Sequence, residues 1–336
     1  MSLLGCSNTT VEEKPIQTQA EPIETVNFIK TTRPDIIDPN SKIENLGGNF
    51  GWSEGPVWVD SLGALLFTDV PGNTIWKYKD GEGLTEYLTP SGAIPPLADY
   101  TSSPGANGLI MLDDDHILIP DHGNRGLYKL NVHTKKKTMI ADRFDEKRFN
   151  SPNDAVLESQ YGHIFFTDPP YGLKGQDDNP AKELDQNGVY ILYENGAMNL
   201  LVDDLTRPNG IILSPDERVL YVANSDPEAA LWMAYDIQGS QFKPENPRMI
   251  LNVTKDVKAG LPGLPDGMAM AEDGTIFATG PGGVLILSPT GERLGLISTG
   301  TAIANVTFGG ADGRDLYMTS NNFLARTRTK VKGHGF

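Results

Sequence analysis

The chain has 336 residues, of which 38% are apolar and 21% charged, enough for one large domain or two ordinary ones. Asp and Glu number 44 against 28 Lys and Arg, and the net charge of −16 argues against nucleic acid and anionic membrane as partners. No apolar run reaches the length of about 18 residues that a transmembrane helix needs. The single cysteine, Cys6, leaves no internal disulfide and no Cys-based zinc site in the body of the fold.

Cys6 lies in LLGC. That tetrapeptide resembles the end of a bacterial lipoprotein signal, but the charged and apolar stretches that would precede it are missing. A chance tetrapeptide explains it equally well. Residues 7–25, SNTTVEEKPIQTQAEPIET, are polar and rich in Pro, Glu and Thr, a composition that cannot bury a core. Residues 1–24 are therefore expected to be a flexible tether, and residues 25–336 one domain. This favours the bacterial periplasm or a lipid anchor, with the cytoplasm as the alternative.

Beyond the tether the sequence repeats. An apolar pentapeptide ending in a small or polar residue recurs six times, as LLFTD (65–69), ILIPD (117–121), IFFTD (164–168), LYVAN (220–224), IFATG (276–280) and LYMTS (316–320). Each reads as a short strand rich in β-branched and aromatic residues. Another apolar run precedes each one: GPVWV, GLIML, DAVLE, GIILS, GMAMA and VTFGG. A third follows the first five after a turn, as TIWKY, GLYKL, GVYIL, ALWMAYDI and GVLIL, while the sixth, near FLARTRT, is less distinct. With 36 Gly and 24 Pro the chain is turn-rich. Six units of three or four strands without helical periodicity predict an all-β, six-bladed β-propeller. Residues 25–50 are expected to supply a closing strand.

In a propeller the first strand of every blade lines the central channel. Some ten residues before each pentapeptide, at the start of that first strand, stand Glu54, Asn107, Asn153, Asn209, Asp266 and Asn305. One Asn or Asp ahead of a strand is an ordinary turn cap. Six carboxylates or carboxamides in register are expected instead to form a ring at one mouth of the channel. Two negative charges and four amide oxygens, with no His or Cys, suit a hard cation on the channel axis. Ca²⁺ is the first choice, and Mg²⁺ or Mn²⁺ remain open.

The ends of the second strands should rim the same mouth, through Asp121-His122, Asp168-Pro169-Pro170-Tyr171 and Asn224-Ser225-Asp226. His122 alone of the five histidines falls there, as a catalytic or substrate-contacting group or as a plain surface residue. Arg125, in HGNR, reads either as a contact for an anionic group or as a surface ion pair. Asn107, Arg125 and Tyr171 belong to the expected substrate-binding set.

The strings SEGPVW, ANGL, DHGNR, KRFNSPND, FTDPPYGL, RPNGIILSPDE and LPDGM resemble the gluconolactonase group of the senescence-marker-protein (SMP-30)/gluconolactonase/luciferin-regenerating-enzyme family, over about residues 50–320. The resemblance implies a six-bladed propeller with an axial divalent cation, often Ca²⁺, that hydrolyses sugar lactones or related esters. It implies metal binding by Glu54, Asn209 and Asp266. It implies for Asn153 a metal ligand, as in relatives resembling diisopropylfluorophosphatase, or a substrate contact, as in the regucalcin branch. Ser151 stands where that branch has an Arg, which puts the sugar-specific contacts in question.

The expected reaction is metal-assisted attack of water on a lactone carbonyl, with Asp266, or else His122, taking the proton. No GxSxG occurs, which weakens a serine-hydrolase reading. A phosphotriesterase at the same metal is the second enzymatic expectation. A non-catalytic propeller that binds a sugar or a protein around a structural cation is the third. Oligomeric state is not legible.

Overall fold

The computed structural model describes residues 27–95, 98–238 and 242–336. The tether expected over residues 1–24, with Cys6, lies outside the described residues. Six four-stranded antiparallel blades follow one another around a channel. Among the described residues the one α-helix is the five-residue Thr254–Lys258.

The repeat maps directly onto the blades. Their inner strands are Ser53–Val59, Ile110–Asp113, Ala155–Leu157, Pro208–Leu213, Met268–Met270 and Asn305–Gly309. Every pentapeptide forms the second strand: Ala64–Asp69, His116–Asp121, Ile164–Asp168, Val219–Asp226, Ile276–Gly280 and Asp315–Ser320. FLARTRT supplies the third strand of blade six, Phe323–Arg328.

The first three residues of each pentapeptide are apolar because both faces of a second strand meet a neighbouring blade. Ile164 and Phe166 pack with Leu118 of blade two, whereas Phe165 between them packs with Val222 of blade four. Ile276 and Ala278 face blade four, and Phe277 faces Met318 of blade six. Side-chain alternation on a strand thus serves two cores rather than a core and solvent. Each such Phe or Ile stabilises the fold by roughly 1.5–3 kcal/mol on burial.

The segment expected to close the fold contributes two strands. Ile43–Gly48 pairs antiparallel with Phe323–Arg328, with Ile43 opposite Thr327 and Gly48 opposite Phe323. It is the fourth strand of blade six, so residues from the two halves of the chain share that blade and close the ring. Phe28–Thr31 adds a fifth strand to the outer edge of blade five, with Phe28 opposite Ser298.

Candidate active site

All six ring positions fall at or just before the start of an inner strand, and all but Asp266 are at least nine-tenths buried. Four of them precede a glycine, and the close packing of the strand starts explains why. A Cβ on Gly55 of blade one would lie 2.1 Å from the carbonyl oxygen of Asn107 in blade two. One on Gly210 of blade four would lie 2.1 Å from the carbonyl oxygen of Asp266 in blade five. The backbones of Asn107, Asn153 and Asp266, and the side chain of Asn305, thus rest on the glycine of the preceding blade, which draws these strand starts together.

Polar residues of the pentapeptides fix this arrangement. Thr68 Oγ1 donates to the Asn107 carbonyl at 2.9 Å, and Thr167 Oγ1 to the Asn209 carbonyl at 2.8 Å, each tying a ring residue of the next blade. The last residue of the pentapeptide holds the approach loop of its own blade. Asp69 Oδ1 accepts from the amides of Gly51 and Trp52 at 3.0 and 3.2 Å, just before Glu54. Asp168 accepts from the Asn150 and Ser151 amides at 2.7 and 2.8 Å, just before Asn153. Asn224 Oδ1 accepts from the Arg207 amide at 2.7 Å. Asp121, Asp168 and Asn224 therefore do not rim the mouth as expected. Residues beyond them do, namely His122, Tyr171 and Ser225.

A cavity of about 310 Å³ opens over the ring. Glu54, Asn107, Asn153, Asn209 and Asp266 form its polar lining together with His122, Ser103, Ser225 and Tyr171. Trp52, Val70, Pro71 and Leu264 supply apolar walls. The oxygens Asn107 Oδ1, Asn209 Oδ1 and Asp266 Oδ1 are buried there without a hydrogen-bond partner. Asn209 Nδ2 donates to Ser225 Oγ at 3.0 Å, and Ser225 Oγ in turn donates to the Pro265 carbonyl. That chain leaves the Asn209 oxygen as the free end of its amide. Asn153 Nδ2 lies 3.5 Å from His122 Nε2, while His122 Nδ1 is 3.3 Å from Ser103 Oγ.

The electrostatics are those of crowded acids in a dry place. Burial, then the nearby Asp154, pushes the Glu54 carboxyl up to about 7. Burial pushes Asp154 up to about 7 as well. Asp266 is raised well above the usual carboxylate range by burial and by both of those neighbours. Burial drives His122 down to about 3, so its imidazole is neutral. Two ring carboxylates and unpaired amide oxygens fit a hard cation, whose charge would offset this repulsion. Among the described residues no cluster of three His, Cys, Asp or Glu could hold a metal, so any cation here depends on the asparagines.

Three residues sit elsewhere than expected. Asn305 does not line the upper cavity but lies beneath it, where its side chain bonds to Glu54. Its Oδ1 accepts from the Val306 amide at 2.8 Å, and it lines a second space of about 270 Å³ inside the channel. Asp154, next to Asn153, would point away from the axis if strand alternation held there, but its residue precedes the regular strand that begins at Ala155. Its carboxylate enters the channel, where Asn305 Nδ2 donates to it at 3.4 Å. Arg125 does not line the cavity; its guanidinium is buried against backbone carbonyls. The sequence reading missed Trp52, Ser103 and Leu264, whereas Ser225 lies at the mouth as expected. Ser225 carried a signal, since it follows Asn224 as His122 follows Asp121. Ser103 carried none, because it lies in a loop outside the repeat.

The sequence model of the SMP-30/gluconolactonase/LRE-like region matches residues 52–322. The chain belongs to this family. A gluconolactonase of Zymomonas mobilis is 39% identical over 302 residues, spanning 89% of this chain and 84% of that protein. Among solved structures of the family, a gluconolactonase from Xanthomonas campestris superposes with a TM-score of 0.76 at 24% identity, covering 90% of this chain and 94% of that one. A calcium-binding regucalcin of Agrobacterium tumefaciens superposes with a TM-score of 0.68 at 18% identity, covering 87% and 95%. Both share the fold.

Proposed function

We propose that the protein is a gluconolactonase-type lactonase that opens a sugar lactone at the upper mouth of the channel. The observation that carries this reading is the convergence of unpaired Asn107, Asn209 and Asp266 oxygens beneath a cavity of about 310 Å³. The relationship to the Zymomonas gluconolactonase supports it. A divalent cation held by Glu54, Asn153, Asn209 and Asp266, with Ca²⁺ the best match to the donor set and Mg²⁺ or Mn²⁺ the alternatives, supplies polarisation of the lactone carbonyl.

The chain's own groups supply the rest. Asp266 Oδ1 takes a proton from the water that attacks the carbonyl carbon. As the ring C–O bond breaks, the same proton passes to the departing ring oxygen, so the Asp266 carboxylate is regenerated. Neutral His122 holds the Asn153 amide and turns its oxygen to the axis. Asn107 and Tyr171 contact the substrate hydroxyls, and Trp52 and Leu264 cover its C–H faces and exclude water. Arg125 is withdrawn from the substrate-binding set.

The test is hydrolysis of glucono-1,5-lactone and of a phosphotriester, each before and after chelation. Lactone turnover that is lost on chelation and restored by Ca²⁺ is expected. Phosphotriester turnover without lactone turnover would replace this reading, and no turnover of either would favour a binding propeller.

A further inference from the structure

Arg125 is an unusual investment. It occupies the turn between His116–Asp121 and Gly126–Asn131 with φ of +56°, a left-handed conformation that costs a non-glycine residue free energy. It is 2% exposed, one of the largest fully buried side chains of the protein. A buried guanidinium is costly unless its donors are met. Here Nε donates to the carbonyls of Phe149 and Asn150 at 2.7 and 3.1 Å and Nη1 to that of Ala181 at 2.9 Å, while Nη2 is buried without a partner among the described residues. The plane also lies 5.5 Å from the ring centre of Tyr100.

These partners belong to three segments, and each leads to the cavity. Phe149 and Asn150 run into Asn153. Ala181 lies in the long connection between Ile164–Asp168 and Gly188–Leu192, which opens with Tyr171. Tyr100 lies in the connection between Gly83–Leu88 and Ile110–Asp113, which carries Ser103. The two connections are also joined to each other. Lys174 N donates to the Tyr100 carbonyl at 2.7 Å, Ser102 N to the Gly172 carbonyl at 3.1 Å, and Ser102 Oγ to the Tyr171 carbonyl at 3.0 Å. His122 stands three residues before Arg125 itself.

We infer that Arg125 is a positioning residue: it locks two inter-strand connections into one wall and thereby sets Ser103, His122, Asn153 and Tyr171 against the substrate. The opposite wall, with Trp52, Glu54, Asn209, Leu264 and Asp266, comes from blades one, four and five and makes none of these bonds. Loss of the lock therefore loosens one side of the cavity while the other keeps its form. Lysine cannot replace it, because an ammonium lacks the flat fork that reaches carbonyls on separate segments.

The functional consequence rests on the lactonase reading, so the experiment has two arms. In the first, hydrogen exchange of Arg125→Met is compared with wild type. Faster exchange confined to residues 98–105 and 169–187 is expected, and unchanged exchange there overturns the lock. In the second, lactone kinetics are measured well below the melting temperature. Arg125→Met is expected to raise KM about tenfold or more with kcat within about threefold, the signature of misplaced binding groups. The control is Arg326→Met in blade six, which loses bonds to Glu44 and Asp80 at 2.8 and 2.9 Å and is expected to leave KM unchanged. A wild-type KM in Arg125→Met, or an equal rise in both variants, overturns positioning. If Arg125→Met does not fold, Arg125→Lys is judged by the same two measures. If the wild type hydrolyses no lactone, the lactonase reading fails while the exchange arm still decides the lock.

Discussion

Ser225 decides which end of the Asn209 amide faces the axis, because it accepts the Nδ2 hydrogen and leaves Oδ1 free. Ser225→Ala removes that preference and lets the amide present hydrogens to a cation. A several-fold weaker Ca²⁺ affinity with little loss of melting temperature is expected by calorimetric titration. Asp266→Asn keeps the shape but removes the proton acceptor, so kcat should fall by about a hundredfold or more. An unchanged rate would move the base to His122. The acids also set a pH dependence. Glu54 and Asp154 have folded values of about 7 against ordinary values of 4.5 and 3.8. The folded, cation-free protein therefore binds more protons than the unfolded chain between those limits. Their contribution to stability is fully present below about pH 4 and is lost as pH rises through about 7. Buried Asp168, also pushed up to about 7, adds in the same direction. Melting curves in chelator should show this loss from pH 5 to 8, and added Ca²⁺ should raise the melting temperature more at pH 8 than at pH 5. A Ca²⁺ effect independent of pH would contradict the crowding of these acids.

The strand starts explain what could be read beforehand and what could not. Second strands were legible because burial on both faces writes an unbroken apolar word, six times over. The ring was legible because a polar residue recurs at one distance from that word. Outer strands were not, since Lys137–Ala141 is exposed or half-exposed along its length and carries no clear alternation. Arg125 was misread for a physical reason: a charged residue in a turn next to a pocket histidine looks like surface, and nothing local announces three carbonyls from distant segments. The place of Asp154 was not legible because alternation holds only within a strand, and its residue lies one position before one. The glycines after the ring residues were visible but unexplained until the neighbouring carbonyls were placed against them. Gly210→Ala tests that account. Its Cβ would meet the Asp266 carbonyl at 2.1 Å, so the strand starts must separate, with lost activity and a melting temperature lowered by several degrees. Thr167→Val removes the tie to the Asn209 carbonyl and leaves a buried acceptor short of a donor, at a cost of about 1–3 kcal/mol by denaturant unfolding.

For the whole molecule, the decisive element is the pairing of Ile43–Gly48 with Phe323–Arg328. It has a consequence in time. A ribosome delivers Glu54 early and Asn305 late, and the strand that completes blade six is finished hundreds of residues before its partner exists. Until Phe323–Arg328 emerges, Ile43–Gly48 has an unpaired edge, and unpaired edges invite foreign strands. The polar and glycine-bearing composition of that strand, IENLGG, suits a segment that must wait without aggregating. The chemistry therefore comes into being late in synthesis: a product that stops before Phe323–Arg328 leaves blade six open, and a message truncated there is expected to yield protein without lactonase activity.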